Sequence, residues 1–221
     1  MTKIKVCGIR SYDNALMVAQ AGADMIGLNF YAKSPRYIDP QEAREIADKL
    51  RETLGDECPT LVGLFVNATG SHIGEVIDIV GLDAVQLSGD ESNSIFKELL
   101  GIGFKSIRPP NKAMALDDVG YFESTFPTNE KFPSLIMDAY HPELYGGTGE
   151  TANIEVALAV KERVPRMMLA GGLNPDNVAE RVKAIQPWGV DVASGVEDGT
   201  PGLKDEAKVK AFIHTVKDAQ V

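Results

Sequence analysis

The sequence predicts a single-domain (β/α)8 barrel that takes in residues 1–221 as one catalytic unit, and three observations lead there. Short apolar runs alternate with amphipathic stretches along the whole chain, the pattern of a parallel sheet whose crossovers are helices. Eight such runs occur, one per about 27 residues, and no linker or composition break interrupts them. The last two runs each lead into a glycine turn, Ala170-Gly171-Gly172-Leu173-Asn174-Pro175 and Ala193-Ser194-Gly195-Val196.

The predicted strands cover residues 4–7, 25–30, 61–66, 84–87, 104–107, 134–138, 167–170 and 190–194. After the second, Asp39-Pro40-Gln41-Glu42 opens a helix like a capping box, with Asp in place of Ser or Thr. Ala43, Ile46, Ala47 and Leu50 then fall on one helical face. Ile73, Val76, Ile77 and Val80 repeat that spacing, as do Val209, Phe212, Ile213 and Val216. Gly22-Ala23-Asp24, Gly81-Leu82-Asp83 and Gly189-Val190-Asp191 form an internal echo at strand entries, where a glycine can end the preceding helix in the left-handed conformation. Within 109–131 the pattern admits a helix over 111–119 and irregular chain over 121–131. Asn174-Pro175-Asp176-Asn177 predicts another helix start, with asparagine as cap and proline in the first turn.

Composition narrows the function. At 221 residues the chain can bury a large core, and hydrophobic and charged contents of 44% and 24% fit an ordinary globular protein. A net charge of −10, without a lysine or arginine stripe, argues against a nucleic-acid partner. The N-terminus runs through Lys5-Val6 into Cys7-Gly8 without a signal-peptide core, and no apolar stretch nears membrane-spanning length. A cytoplasmic protein without a membrane partner is therefore expected. Cys7 and Cys58 read as free thiols, and His72, His141 and His214 stand singly, so no metal site is expected.

A barrel gathers the C-terminal ends of its strands on one face, where its chemistry takes place. Cys7 ends the first strand and reads either as a small buried hydrophobe or as a catalytic thiol. Asp138 ends the sixth, and reads as a structural carboxylate with partners or as a functional one. Gly171, Gly172, Ser194 and Gly195 either make tight turns only or offer backbone N–H groups to a phosphate. Tyr145-Gly146-Gly147-Thr148-Gly149 is a closing loop or a plain connector, and Arg36 is a carboxylate clamp or a solvated side chain.

Taken in order, these segments resemble the phosphoribosylanthranilate isomerase family almost end to end. The resemblance rests on Ile4-Lys5-Val6-Cys7-Gly8, Ser34-Pro35-Arg36-Tyr37, Val62-Gly63-Leu64-Phe65-Val66-Asn67, Val85-Gln86-Leu87, Asp138-Ala139-Tyr140, Tyr145-Gly146-Gly147-Thr148-Gly149, Ala170-Gly171-Gly172-Leu173-Asn174-Pro175 and Ser194-Gly195-Val196-Glu197. It implies a cofactor-free Amadori rearrangement of a phosphorylated small molecule in tryptophan biosynthesis. Asp138 would be the acid and Cys7 the base. Arg36 would hold the anthranilate carboxylate, and Gly147, Thr148, Gly149, Gly171, Gly172, Ser194 and Gly195 would bind substrate around the phosphate.

Those roles require a Cys7 pKa lowered by a cation, helix end or hydrogen bonding, and an Asp138 that keeps its proton through burial or a neighbouring anion. The chain departs from the family pattern at Ser88, Ala193, the segment Thr151-Ala152-Asn153, and Asn29. Changed affinity with unchanged chemistry is the expectation. The rival readings are a diverged phosphosugar isomerase, such as that of histidine biosynthesis, which would show aspartate at position 7, and a non-catalytic phosphate-ligand binder. As to assembly, monomer and homodimer both remain open.

Overall fold

Eight parallel strands pair in chain order, and the last returns to the first to close a barrel. They are β1 (Lys3–Cys7), β2 (Met25–Asn29), β3 (Thr60–Phe65), β4 (Ala84–Leu87), β5 (Gly103–Ile107), β6 (Leu135–Met137), β7 (Met167–Leu169) and β8 (Gly189–Val192). This computed structural model describes residues 1–99, 101–139 and 153–219. All eight predicted strands are present, with ends shifted by one or two residues. Phe30, Asp138 and Ser194 lie just past the strands expected to contain them.

Alternate strand residues point in and out of a barrel, and burial divides accordingly. Met25, Val62, Ala84, Phe104, Ile136 and Met168 form an inner apolar cluster. Their chain neighbours, such as Ile26, Leu61, Val85 and Leu135, join the larger cluster under the helices. The outer ring comprises α1 (Tyr12–Ala21), α2 (Pro40–Leu54), α3 (Gly70–Val80), α4 (Lys112–Phe122), α5 (Ile154–Lys161), α6 (Val178–Ile185) and α7 (Glu206–Asp218). Asp39 caps α2, its carboxylate accepting from the Gln41 N–H at 2.8 Å, and Ala43, Ile46, Ala47 and Leu50 are buried as their spacing predicts. Val209, Phe212, Ile213 and Val216 likewise form the buried face of α7.

The internal echo holds twice. Gly22 and Gly81 end α1 and α3 at φ of 101° and 69°, where a Cβ would be strained. Asp24 and Asp83 then accept the N–H groups of Ile4 and Leu61 on neighbouring strands, at 2.9 and 2.7 Å. The third member behaves differently, because Gly189 lies inside β8 and α6 ends on Gln186 at φ 50°. Asp191 is consequently an interior strand residue. The predicted helix start at Asn174 is also displaced: Asn174 accepts from the N–H groups of Asp176 and Asn177 in a separate turn, and α6 begins at Val178.

Among the described residues, the β4–β5 connection holds a 3-10 turn at Asn93–Lys97 rather than an α-helix. Lys105 points outward from β5 beneath this thin cover, and a carboxylate replaces the missing apolar helix face. Glu91 meets the Lys105 ammonium at 2.6 Å with both side chains buried. The other Glu91 oxygen accepts the N–H groups of Asn67 and Gly89 at 2.8 and 3.0 Å. Removing one partner of a buried pair leaves a stranded charge, so Glu91→Ala should lower stability by about 3 kcal/mol. Equilibrium urea denaturation checks this, and a loss below about 1 kcal/mol would mean that water reaches Lys105 and solvates it.

Candidate active site

The C-terminal ends of the strands surround a cavity of about 180 Å3 whose lining includes Cys7, Asn29, Arg36, Gln86, Ser88 and Asp138. Three candidates named from the sequence, Cys7, Arg36 and Asp138, therefore meet at one place. Asp138 follows β6, and its Oδ1 accepts the Ala139 N–H at 2.8 Å. Burial pushes the Asp138 carboxyl up to about 6, against the pull of the Ala139 hydrogen bond, and the nearby Asp191 charge adds to the rise. Arg108 and Lys5 oppose it.

Cys7 is buried at the end of β1, opposite Gly27 of β2. A Cβ at Gly27 would come within 2.7 Å of the Cys7 Sγ and 3.1 Å of the Lys5 Nζ, so the missing side chain makes room for thiol and ammonium together. Lys5 is fully buried and reaches both carboxylate oxygens of Asp191, at 3.0 and 3.1 Å. Burial works against the Lys5 charge, but Asp191 and Cys7 outweigh it and hold the ammonium charged. The expected cations near Cys7 are present as Lys5 and Lys204. They do not prevail: burial pushes the thiol up, so the pKa is raised rather than lowered as anticipated from sequence.

Arg36 is positioned by the loop between β2 and α2. Asn29 donates to the Ser34 Oγ at 3.1 Å, and the same oxygen accepts the Arg36 N–H at 3.1 Å. Asn29 thereby anchors that loop. The Arg36 guanidinium forks onto Glu197 through Nε and one Nη, both at 2.7 Å. Glu197 also takes the Lys204 ammonium at 3.0 Å and the Gly202 N–H at 2.8 Å. Arg36 is a fixed, paired cation rather than a solvated one.

The two glycine turns are neighbours in space. A Cβ at Gly195 would strike the Leu173 carbonyl, and one at Gly171 would collide with Ala139, so only glycine allows these backbones to pack. Ser194 opens a short 3-10 turn, Ser194–Val196, which packs against Leu173 and Asn174. Ser88 is buried and accepts from the Gln86 Nε2 at 3.1 Å. Gly147, Thr148, Gly149 and Ala152 lie outside the described residues. Sequence reasoning missed Lys5, Asp191, Glu197 and Lys204. Lys5 shares the period-two face of Cys7, and Asp191 sits between two valines; charges at inward positions of apolar strands were the available signal.

A parallel barrel with a carboxyl of raised pKa and a thiol at its mouth has the parts of an acid–base barrel enzyme. The family model for N-(5'phosphoribosyl)anthranilate (PRA) isomerase matches residues 4–215. The chain belongs to the PRA isomerase family. It is 41% identical to the N-(5'-phosphoribosyl)anthranilate isomerase of Geobacter sp. (strain M21), covering 98% of each chain. It is 40% identical to that of Roseiflexus sp. (strain RS-1), covering 99% of each. The crystal structure of phosphoribosyl anthranilate isomerase from Thermotoga maritima superposes with a TM-score of 0.85 at 34% identity, over 99% of this chain and 100% of that one. A phosphoribosyl anthranilate isomerase solved in complex with reduced 1-(o-carboxyphenylamino)-1-deoxyribulose 5-phosphate superposes with a TM-score of 0.82 at 32% identity, over the same shares of the two chains.

The raised Asp138 pKa has a consequence for stability. Between the unfolded value near 4 and the folded value of about 6, the native state binds more protons, so stability falls as pH rises through that window. Asp138→Asn should abolish that fall and be more stable than wild type at pH 7, by on the order of 2 kcal/mol. Urea denaturation of both proteins at pH 4.5 and pH 7 reads the difference; parallel changes in the two would mean that Asp138 titrates like a solvated carboxyl.

Proposed function

We propose that this protein catalyses the Amadori rearrangement of N-(5-phosphoribosyl)anthranilate to 1-(2-carboxyphenylamino)-1-deoxyribulose 5-phosphate, a step of tryptophan biosynthesis, without a cofactor. The observation that carries the reading is the meeting of Cys7, Asp138 and Arg36 on one cavity in a chain of this family. The Asp138 carboxyl gives its proton to the furanose ring oxygen. The bond from C1 to that oxygen breaks as the amine nitrogen lone pair forms the C=N bond of an iminium. Cys7 as thiolate removes the proton from C2, and the C2–H electrons form the C1–C2 double bond while the iminium π electrons return to nitrogen. The resulting enol tautomerises to the ketone.

A substrate with a phosphate and a carboxylate must be drawn to a protein of net charge −10. Around the mouth Lys5, Arg36 and Lys204 face Asp191 and Glu197, a local excess of one positive charge among these five groups, which is preserved in the fraction of molecules where Asp138, with a pKa of about 6, holds its proton. Arg36 retains N–H groups beyond its fork to Glu197, and these take the anthranilate carboxylate. The phosphate is held by Gly171, Gly172, Ser194 and Gly195, at the loops after β7 and β8 where barrels of this type bind phosphate. Gly147, Thr148 and Gly149 complete the substrate-binding set on sequence grounds. The protein works in the cytoplasm as a monomer or homodimer, domain and barrel being one.

A fluorescence assay that generates phosphoribosylanthranilate from anthranilate and phosphoribosyl pyrophosphate tests the reading through loss of the signal. Wild type should accelerate the loss, while Cys7→Ser and Asp138→Asn should fall by at least about 10²-fold with the fold intact. Wild-type rates in either variant would remove that residue from the acid–base pair, and an inactive folded wild type would overturn the activity. Arg36→Met should raise KM by roughly tenfold or more, the worth of a charge-assisted hydrogen bond. An unchanged KM would mean that the carboxylate is held elsewhere.

A further inference from the structure

We propose that Gln86 is a specificity-determining residue whose amide oxygen accepts a hydrogen bond from the bridging amine N–H of the bound arylamino sugar; this rests on the functional reading above. Gln86 is the third residue of β4, only 4% exposed, and lines the cavity shared with Cys7 and Asp138. Its Nε2 donates to the Ser88 Oγ at 3.1 Å, whereas its Oε1 is buried with no hydrogen-bond partner among the described residues. Turning the amide over would leave Nε2 unmatched instead, so one polar atom is orphaned in either orientation.

Buried amide oxygens are nearly always paired, and leaving one unpaired costs stability that an apolar residue would not. The register offers no remedy from the same sheet, because Gln86 lies between Leu64 of β3 and Phe104 of β5. With Nε2 donating to Ser88, the amide oxygen is left to a partner that arrives with the ligand.

The ligand's own chemistry selects that partner. In a closed eight-stranded barrel β4 stands opposite β8. A ligand held by its phosphate over β7 and β8 turns its arylamine end toward the far strands. At that end the carboxylate and aromatic ring carry no donor, and the amine N–H is the group that can satisfy an acceptor. A site built around such a hydrogen bond rejects an isostere lacking the N–H more strongly than an apolar pocket would.

Two ligands test this: the reduced product analogue with its secondary amine, and the same molecule with an ether oxygen replacing the N–H. Their dissociation constants would be measured by titration calorimetry on wild type, Gln86→Met and Gln86→Glu. Wild type should prefer the amine by about tenfold, Gln86→Met should bind both alike, and Gln86→Glu, which keeps an acceptor, should retain the preference. Unliganded Gln86→Met should melt at or above the wild-type temperature, since it removes an orphaned acceptor; a purely structural glutamine would lower the melting temperature and leave the preference intact. An equal preference in wild type and Gln86→Met, or a preference for the ether in wild type, overturns the inference while the activity stands. If Gln86→Met does not fold, loss of the preference in Gln86→Glu overturns it equally. Failure of wild type to bind either ligand overturns the functional reading and this inference together.

Discussion

The ion pair between Lys5 and Asp191 is the constraint to which the mouth of the barrel answers. The two residues are register partners on β1 and β8, and their charged ends meet inside the barrel, away from water. A buried pair of this kind rarely adds stability over well-packed apolar residues, yet either member alone would be costly. Its effect on its neighbours gives it a use. At Cys7 the pull of Lys5 exceeds the push of Asp191, whereas at Asp138 the push of Asp191 exceeds the pull of Lys5. The pair therefore presents its positive end to the thiol and its negative end to the acid. One dipole favours the thiolate form of Cys7 and the protonated form of Asp138, the two states that the proposed proton transfers demand.

A second buried charge cluster fixes where the rim cation stands. Glu197, beyond β8, binds Arg36 from the loop after β2 and Lys204 from the segment before α7. Burial alone would raise the Glu197 pKa, but Arg36, the Gly202 N–H and Lys204 together bring it below its ordinary value. Arg36 in turn loses much of the freedom of a long side chain, so a ligand carboxylate meets a preformed fork rather than an ensemble of rotamers. The cluster couples two loops far apart in sequence, and the guanidinium is aimed by residues more than 150 positions away.

The fold was legible because each strand and most helices carry their own signals. Short apolar runs, the Asp39 cap and the helical faces on α2, α3 and α7 need no tertiary information. Cys7, Asp138 and Arg36 were legible as polar residues at strand ends, though their roles came from a resemblance. What escaped was long-range. The glycine spacing does not distinguish Asp191 from Asp24 and Asp83: all three follow a glycine by two residues, and only the position of β8 turns one of them into the barrel. Likewise Glu91 and Lys105 give no local sign that their pairing will replace a helix between β4 and β5. Charges that find partners across the sheet are invisible to periodicity, since the pattern records where a side chain points and not what it meets.

The raised pKa of Cys7 shows how burial and reactivity are reconciled here. Enclosure at the mouth raises the acid into a useful range, and the same enclosure works against a thiolate. Lys5 and Lys204 reduce that cost without cancelling it. In the proposed reaction the missing positive charge comes from the substrate. Ring opening creates an iminium beside the sulfur, and a cation formed in a water-poor site stabilises an adjacent anion more than it would in solution. Cys7 must be thiolate when the C2 proton is removed, and a thiolate of raised pKa is the stronger base for that transfer. A thiol of lower pKa would be the weaker base and would add negative charge to a mouth that must admit two anions. The raised pKa of Cys7 is thus matched to the substrate's charge as much as it is caused by the barrel's burial.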